Sequence, residues 1–180
     1  RIDGVVLLKG SQYRYQARAN EVIMPHWVED LGRTKPLSLR SKSEEPIVSF
    51  CGWVAPSGVF ATLKYHLKNG YFDVLSLIPG MGHMVTRKKG LWWRTRSIRT
   101  LKGASGIETR FIERATFSGS MKTISLDPKQ ARKEYIENMY GADFALAPKG
   151  DANISLRFFE ALSMGRVPVL IDTAVVLPAE

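Results

Sequence analysis

Apolar residues recur along this chain in two rhythms. Short apolar runs bounded by Gly, Pro, Asn or Asp predict strands at 5–8, 22–24, 47–50, 107–112, 144–147 and 167–171. Between them, apolar positions spaced three and four apart predict helices at 59–67, 92–101 and 129–140, and another ending at Gly165. Strands alternating with helices imply an α/β fold, a Rossmann-like parallel sheet covered on both faces.

The last of these units carries the chemistry. The run 144–147 is stopped by Pro148 and Gly150, Asn153 or Ser155 caps the next helix, and 167–171 returns to the sheet, which makes a βαβ unit. Ligands collect where such strands end and such helices begin, because free backbone N–H groups and the helix dipole attract anions there. Lys149, Gly150, Asp151, Asn153 and Ser155 occupy that edge. At about 3.6 residues per turn, Leu156, Phe159 and Leu162 or Ser163 form the side expected against the sheet. Asn153, Arg157 and Glu160 fall on another side. Arg157 is suited to grip a diphosphate and Glu160 to accept from paired sugar hydroxyls. The same i, i+3 spacing also describes an ordinary exposed ion pair, worth about 0.2 to 0.5 kcal/mol. The residues alone leave both readings open.

The string Pro148-Lys-Gly, Ser155-Leu-Arg-Phe-Phe-Glu-Ala-Leu, Val167-Pro-Val-Leu-Ile and Leu177-Pro resembles, in order and spacing, the exostosin family, glycosyltransferase family 47. Arg110-Phe-Ile-Glu-Arg, Phe117-Ser-Gly and 135–147 are similar to the preceding segments of that family, so the resemblance covers about residues 107–178. It implies a GT-B glycosyltransferase, two Rossmann-like halves facing a cleft, with the nucleotide-sugar donor held mainly by the C-terminal half. Carried over, Arg157 stands near the donor diphosphate, Glu160 at the ribose, and Lys149 where the family has arginine. Lysine keeps the charge and loses the planar fork. Asp151 and Ala152 replace basic residues common after the loop glycine. Ala152 also stands where retaining enzymes of the sucrose-synthase-like group place a glutamate, which fits inverting transfer with a base on the acceptor side. The resemblance attaches no residue of this chain to that base.

The implied donor is a nucleotide sugar, a UDP-sugar by family, and the implied acceptor a glycan or polysaccharide. No cofactor or essential protein-bound metal is implied. A chain of 180 residues is short for two complete halves, so 1–44 is expected to be the end of an N-terminal, acceptor-side half plus linker, and 45–180 a truncated donor-binding domain. The segment 32–45, rich in Lys, Arg and Ser, is the expected linker, and Cys51-Gly-Trp and Pro56-Ser-Gly are expected to form a loop open to the cleft.

A formal charge of +9 suits an anionic partner without choosing among nucleotide, acidic polysaccharide, membrane surface and nucleic acid. Arg87-Lys-Lys-Gly-Leu-Trp-Trp-Arg94, with Arg96 and Arg99, is the densest basic patch. Its tryptophans are expected to anchor a helix in the core with the cations on the solvated side. The alternative function is therefore a noncatalytic basic α/β domain binding nucleic acid or another polyanion, although no nucleic-acid module motif is present. His26, His66 and His83 are far apart in sequence and lack metal-ligand spacing. Cys51, the only cysteine, reads as a small buried residue and leaves no intramolecular disulfide, which leans towards a reducing compartment. No apolar run approaches the roughly twenty residues of a bilayer span. The reading leans cytoplasmic, as for bacterial members of the resembled family; eukaryotic members are commonly Golgi-anchored.

Overall fold

A computed structural model describes residues 4–38, 40–41, 44–54, 56, 58–115 and 127–178. Its centre is a four-stranded, all-parallel sheet of β3 (Ile47–Trp53), β4 (Glu108–Arg114), β5 (Phe144–Ala147) and β6 (Val167–Leu170), ordered β4-β3-β5-β6. The interior strands are the most apolar, as a sheet covered on both faces requires: Ile47, Val48, Phe50 and Cys51 of β3 and Ala145, Leu146 and Ala147 of β5 are buried. The α/β class and the parallel sheet expected from the apolar pattern are present. The chain crosses from β3 to β4 on one side and then from β4 back past β3 to β5 on the other, and such a switch point between β3 and β5 opens a crevice beyond the strand ends.

Helices α2 (Val59–Ser76), α3 (Gly90–Lys102), α4 (Pro128–Tyr140) and α5 (Leu156–Ser163) fill the connections. Asp127 caps α4 by accepting from the Gln130 N–H at 2.9 Å, with Pro128 in the first turn, where its missing N–H costs nothing. Gly165 takes φ 64° after α5, a left-handed stop that glycine adopts without strain. Ile98 of α3 packs with Val48, Phe50 and Leu146 in one apolar cluster, and Ile136 and Met139 of α4 with Ala145, Ala161 and Met164 in another.

Several expectations change. Cys51-Gly-Trp is strand, not loop, because β4 pairs with β3 along its whole length, from Ile47 opposite Glu108 to Trp53 opposite Arg114. Of the Pro56-Ser-Gly turn, Ser57 lies outside the described residues, as does the Phe117-Ser-Gly segment. The sheet-facing side of α5 is also different. Leu156 and Leu162 are half-exposed, while Ala161 and Met164 are fully buried, so the inward stripe runs through 157, 161 and 164. Arg157 thereby occupies the first turn of the buried side.

The N-terminal segment docks onto this sheet. β1 (Leu7–Lys9) and β2 (Glu21–Ile23) form a separate parallel pair, and the intervening turn is stitched to the segment after β6. The N–H of Arg14 donates to the Ala174 carbonyl at 2.7 Å and that of Val176 to the Gln12 carbonyl at 3.1 Å. The entry to the expected linker, and the linker itself at Arg40, are also anchored. Leu31 opens a short helix, α1 (Leu31–Thr34), and is fully buried with Met139, Ala161 and Met164; further on, Arg40 pairs with Asp143 at 2.7 Å. Among the described residues no helix is long and apolar enough to cross a membrane.

Candidate functional site

A cleft of about 400 Å³ lies at the carboxyl end of the sheet. Arg114, at the end of β4, forms one wall; Arg132 and Tyr135, in the first turns of α4, form another; Ser155, Arg157 and Glu160, at the start of α5, form a third; Arg94 reaches in from α3.

Arg157 is held by three features. Its Nη2 donates to the Cys51 carbonyl at 2.7 Å, and its guanidinium lies over the ring of Phe50, 4.4 Å from the centroid, with Tyr135 at 5.4 Å. The third is Gly52: a Cβ there would come within 3.2 Å of Nη2, so the missing side chain provides the seat for the guanidinium. Arg94 is placed similarly, its Nη1 donating to the Trp53 carbonyl at 2.6 Å. Among the described residues neither Arg94 nor Arg157 forms an ion pair. Burial, and secondarily repulsion from Arg157, pulls the Arg94 pKa down to about 10. Among the described residues the buried Nε atoms of Arg94, Arg114 and Arg157 have no hydrogen-bond partner. Donors exceed acceptors here, which costs free energy without an acceptor to take them up.

Among the described residues Glu160 is the one acid lining the cleft. It accepts from the Tyr135 hydroxyl at 2.5 Å and from Arg132 Nη1 at 3.1 Å, while Arg132 also pairs with Glu29 at 2.7 Å. Burial, opposed by the Arg157 charge and reinforced by Glu160, drives the Tyr135 pKa upward, so its hydroxyl remains a donor at neutral pH. Arg114 pairs with Glu134 at 3.0 Å. Subtracting these pairs leaves Arg94 and Arg157 as the cations without a carboxylate.

The other expected site residues divide. Ser155 lines the cleft as the residue before α5, and its side chain makes no capping bond. Lys149 does not reach the cleft: it is 3% exposed, and its Nζ donates to the Tyr13 hydroxyl at 2.8 Å and the Thr86 carbonyl at 2.7 Å. The Lys149-Gly150 loop is covered by the first residue of α3, since a Cβ on Gly90 would lie 2.4 Å from both of the loop's carbonyl oxygens. Asn153 precedes α5 and does not share its polar side. Buried, it accepts from the Thr173 hydroxyl at 2.7 Å and donates to the Gln12 and Thr173 carbonyls, tying the N-terminal segment to the exit of β6. Asp151 is exposed, 3.6 Å from Lys89.

Sequence reasoning missed Arg114, Arg132 and Tyr135 as site residues. The usable signal for Arg114 was its place two residues beyond a predicted parallel strand; Arg132 and Tyr135 share an i, i+3 face near the start of a predicted helix. The basic patch also departs from expectation, because Lys88 is buried and stacked 3.8 Å from the Trp92 centroid and Arg94 turns into the cleft, whereas Arg96 and Arg99 are exposed. Cys51 is buried as expected, and that burial raises its thiol pKa.

Lys149 carries a pH prediction. Burial, followed by repulsion from Arg87 and Lys89, lowers its pKa from 10.5 to about 8. Above that value the unfolded chain holds more protons than the folded one, so stability should gain from this group as pH rises from about 8 towards 10.5. Urea midpoints measured at neutral and alkaline pH should show that gain in the wild-type chain relative to Lys149→Met; equal slopes in the two proteins would refute the assignment.

Compared with known proteins, the chain matches no family model, no curated protein and no solved structure.

Proposed function

We propose that this chain is the donor-binding half of an inverting GT-B glycosyltransferase, transferring a sugar from a nucleotide sugar, a UDP-sugar, to a glycan acceptor. The observation that carries the reading is the pair of carboxylate-free guanidinium groups, Arg94 and Arg157, in a cleft at the switch point of a parallel sheet. A diphosphate supplies the acceptors and the negative charge this cluster lacks. As the bond from anomeric carbon to phosphate oxygen breaks, charge grows on the leaving diphosphate, and fixed guanidinium groups in a partly desolvated cleft stabilise that state more than the ground state. The motif resemblance places Arg157 in this role and Glu160 at the ribose. A carboxylate accepts about four hydrogen bonds, so Glu160 has capacity beyond Tyr135 and Arg132. Lys149 takes no part in phosphate binding in this reading; it braces the loop from behind.

The second reading, a noncatalytic basic domain that binds a polyanion, draws on the exposed Arg96 and Arg99 of α3. Titrations with UDP, UMP and a DNA oligomer separate the two. The donor-site reading expects UDP to bind more tightly than UMP, because the second phosphate meets the second guanidinium. Oligomer binding that weakens steeply with salt, without UDP binding, would replace it with the polyanion reading.

A further inference from the structure

Helix α2 presents a side that no part of the described chain covers. Phe60, Leu63, Leu67, Val74 and Leu77 along it are 54 to 90% exposed, and a cluster of large exposed apolar side chains on one side of a helix marks an interaction surface. With Gly70, these positions step by three, four, three, four and three, the spacing of a coiled-coil seam. The opposite side of α2 packs inward through the buried Asn69, whose carboxamide bonds the Tyr65 carbonyl and the Lys89 N–H. The seam is thus the outer side of a helix already fixed to the domain.

We infer that α2 is a self-association surface, pairing antiparallel with α2 of a second copy about a two-fold axis between residues 68 and 69. The pairing is argued from self-complementarity. That axis sets Phe60 against Leu77, Leu63 against Val74, and Leu67 against Gly70, where a side chain would meet nothing within 4 Å and a partner's leucine has room. The flanking positions agree: His66 falls beside Asp73 of the other copy and Lys64 beside Tyr71. Asp73 uses only one oxygen on its own Lys88. At 18 residues the seam is about 27 Å long. A lipid surface would gain nothing from a glycine gap in the apolar stripe or from an acid at its border, whereas a second α2 uses both. None of these residues lines the cleft, so the inference stands or falls apart from the proposed function.

Sedimentation equilibrium of the chain should show a dimer, and Leu67→Glu should weaken it at least 100-fold with an unchanged far-ultraviolet circular dichroism spectrum, since residue 67 is exposed in the monomer. Register is read by mixing Leu63→Cys with Val74→Cys chains under mild oxidation; Cys51 is buried and does not compete. The mixed disulfide should form at least tenfold faster than the 63–63 disulfide, whose helix positions lie about 16 Å apart along the seam. A monomer at about 100 μM, a dimer unaffected by Leu67→Glu, or 63–63 disulfides forming as fast as mixed ones would overturn the inference. So would a monomer that binds phosphatidylserine vesicles through residue 67.

Discussion

Replacing Gly90 with alanine should destabilise the fold by about 3 kcal/mol or more, the upper end of overpacking costs. The reason is positional. Gly90 starts α3 and is buried against the turn that leaves β5, and the added Cβ would sit 2.4 Å from the Lys149 and Gly150 carbonyl oxygens and 2.8 Å from the Gly150 carbonyl carbon. All three are backbone atoms, so no side chain can swing aside. Relief requires moving α3, which carries Ile98 into the core and Arg94 into the cleft, or moving the loop, which Gly150 N–H holds to the Ile154 carbonyl at 3.0 Å. For a domain whose total stability is on the order of 5 to 15 kcal/mol, such a loss lowers the melting temperature by roughly 6 to 12 °C. Gly82→Ala is the control. Its added Cβ meets nothing within 4 Å and its φ is not positive, so it should change stability by less than about 0.5 kcal/mol. Thermal unfolding of the two variants beside the wild-type chain checks both statements, and equal shifts would show that the close approach at Gly90 is unimportant.

That contact also explains why some of the site was legible in sequence and some was not. Period and punctuation placed the βαβ unit at residues 144–170 almost to the residue, because Pro148, Gly150 and Gly165 act locally. The apolar runs of β3 and β5 read as buried parallel strands for the same local reason. Lys149 was misread because its surroundings are not local: the groups that hold its ammonium, Tyr13 and Thr86, are 136 and 63 residues away. Asn153 was misread likewise, through Gln12 and Thr173. The rotation of α5 turns on Leu31 and Met139, which reward a small Ala161 and a flexible Met164 over the larger leucines. Arg157 and Glu160 were identified correctly as neighbours on one side of the helix; that the side faces a cleft shared with Arg94, Arg114 and Tyr135 is a property of the sheet order. Gly52 shows the limit from another direction. In sequence it suggested a loop, whereas in the strand it is the space into which a distant arginine fits.

Arg157→Ala should weaken UDP binding by roughly 30-fold or more, as expected for losing about 2 kcal/mol of charge-assisted hydrogen bonding. The fold should tolerate the change. The guanidinium donates to the Cys51 carbonyl without a carboxylate partner among the described residues, and its departure relieves repulsion on the buried Arg94. Arg157→Lys should recover only part of the affinity, because the seat formed by Gly52 and the rings of Phe50 and Tyr135 fits a planar fork rather than an ammonium.

Calorimetric titration of UDP into the wild-type chain and Arg157→Ala, side by side, tests the nucleotide-sugar reading most directly. Saturable one-to-one binding in the wild type, weakened at least 30-fold in a variant of unchanged melting temperature, is the predicted result. Absence of UDP binding in the wild-type chain, or equal affinity in the two proteins, would contradict it.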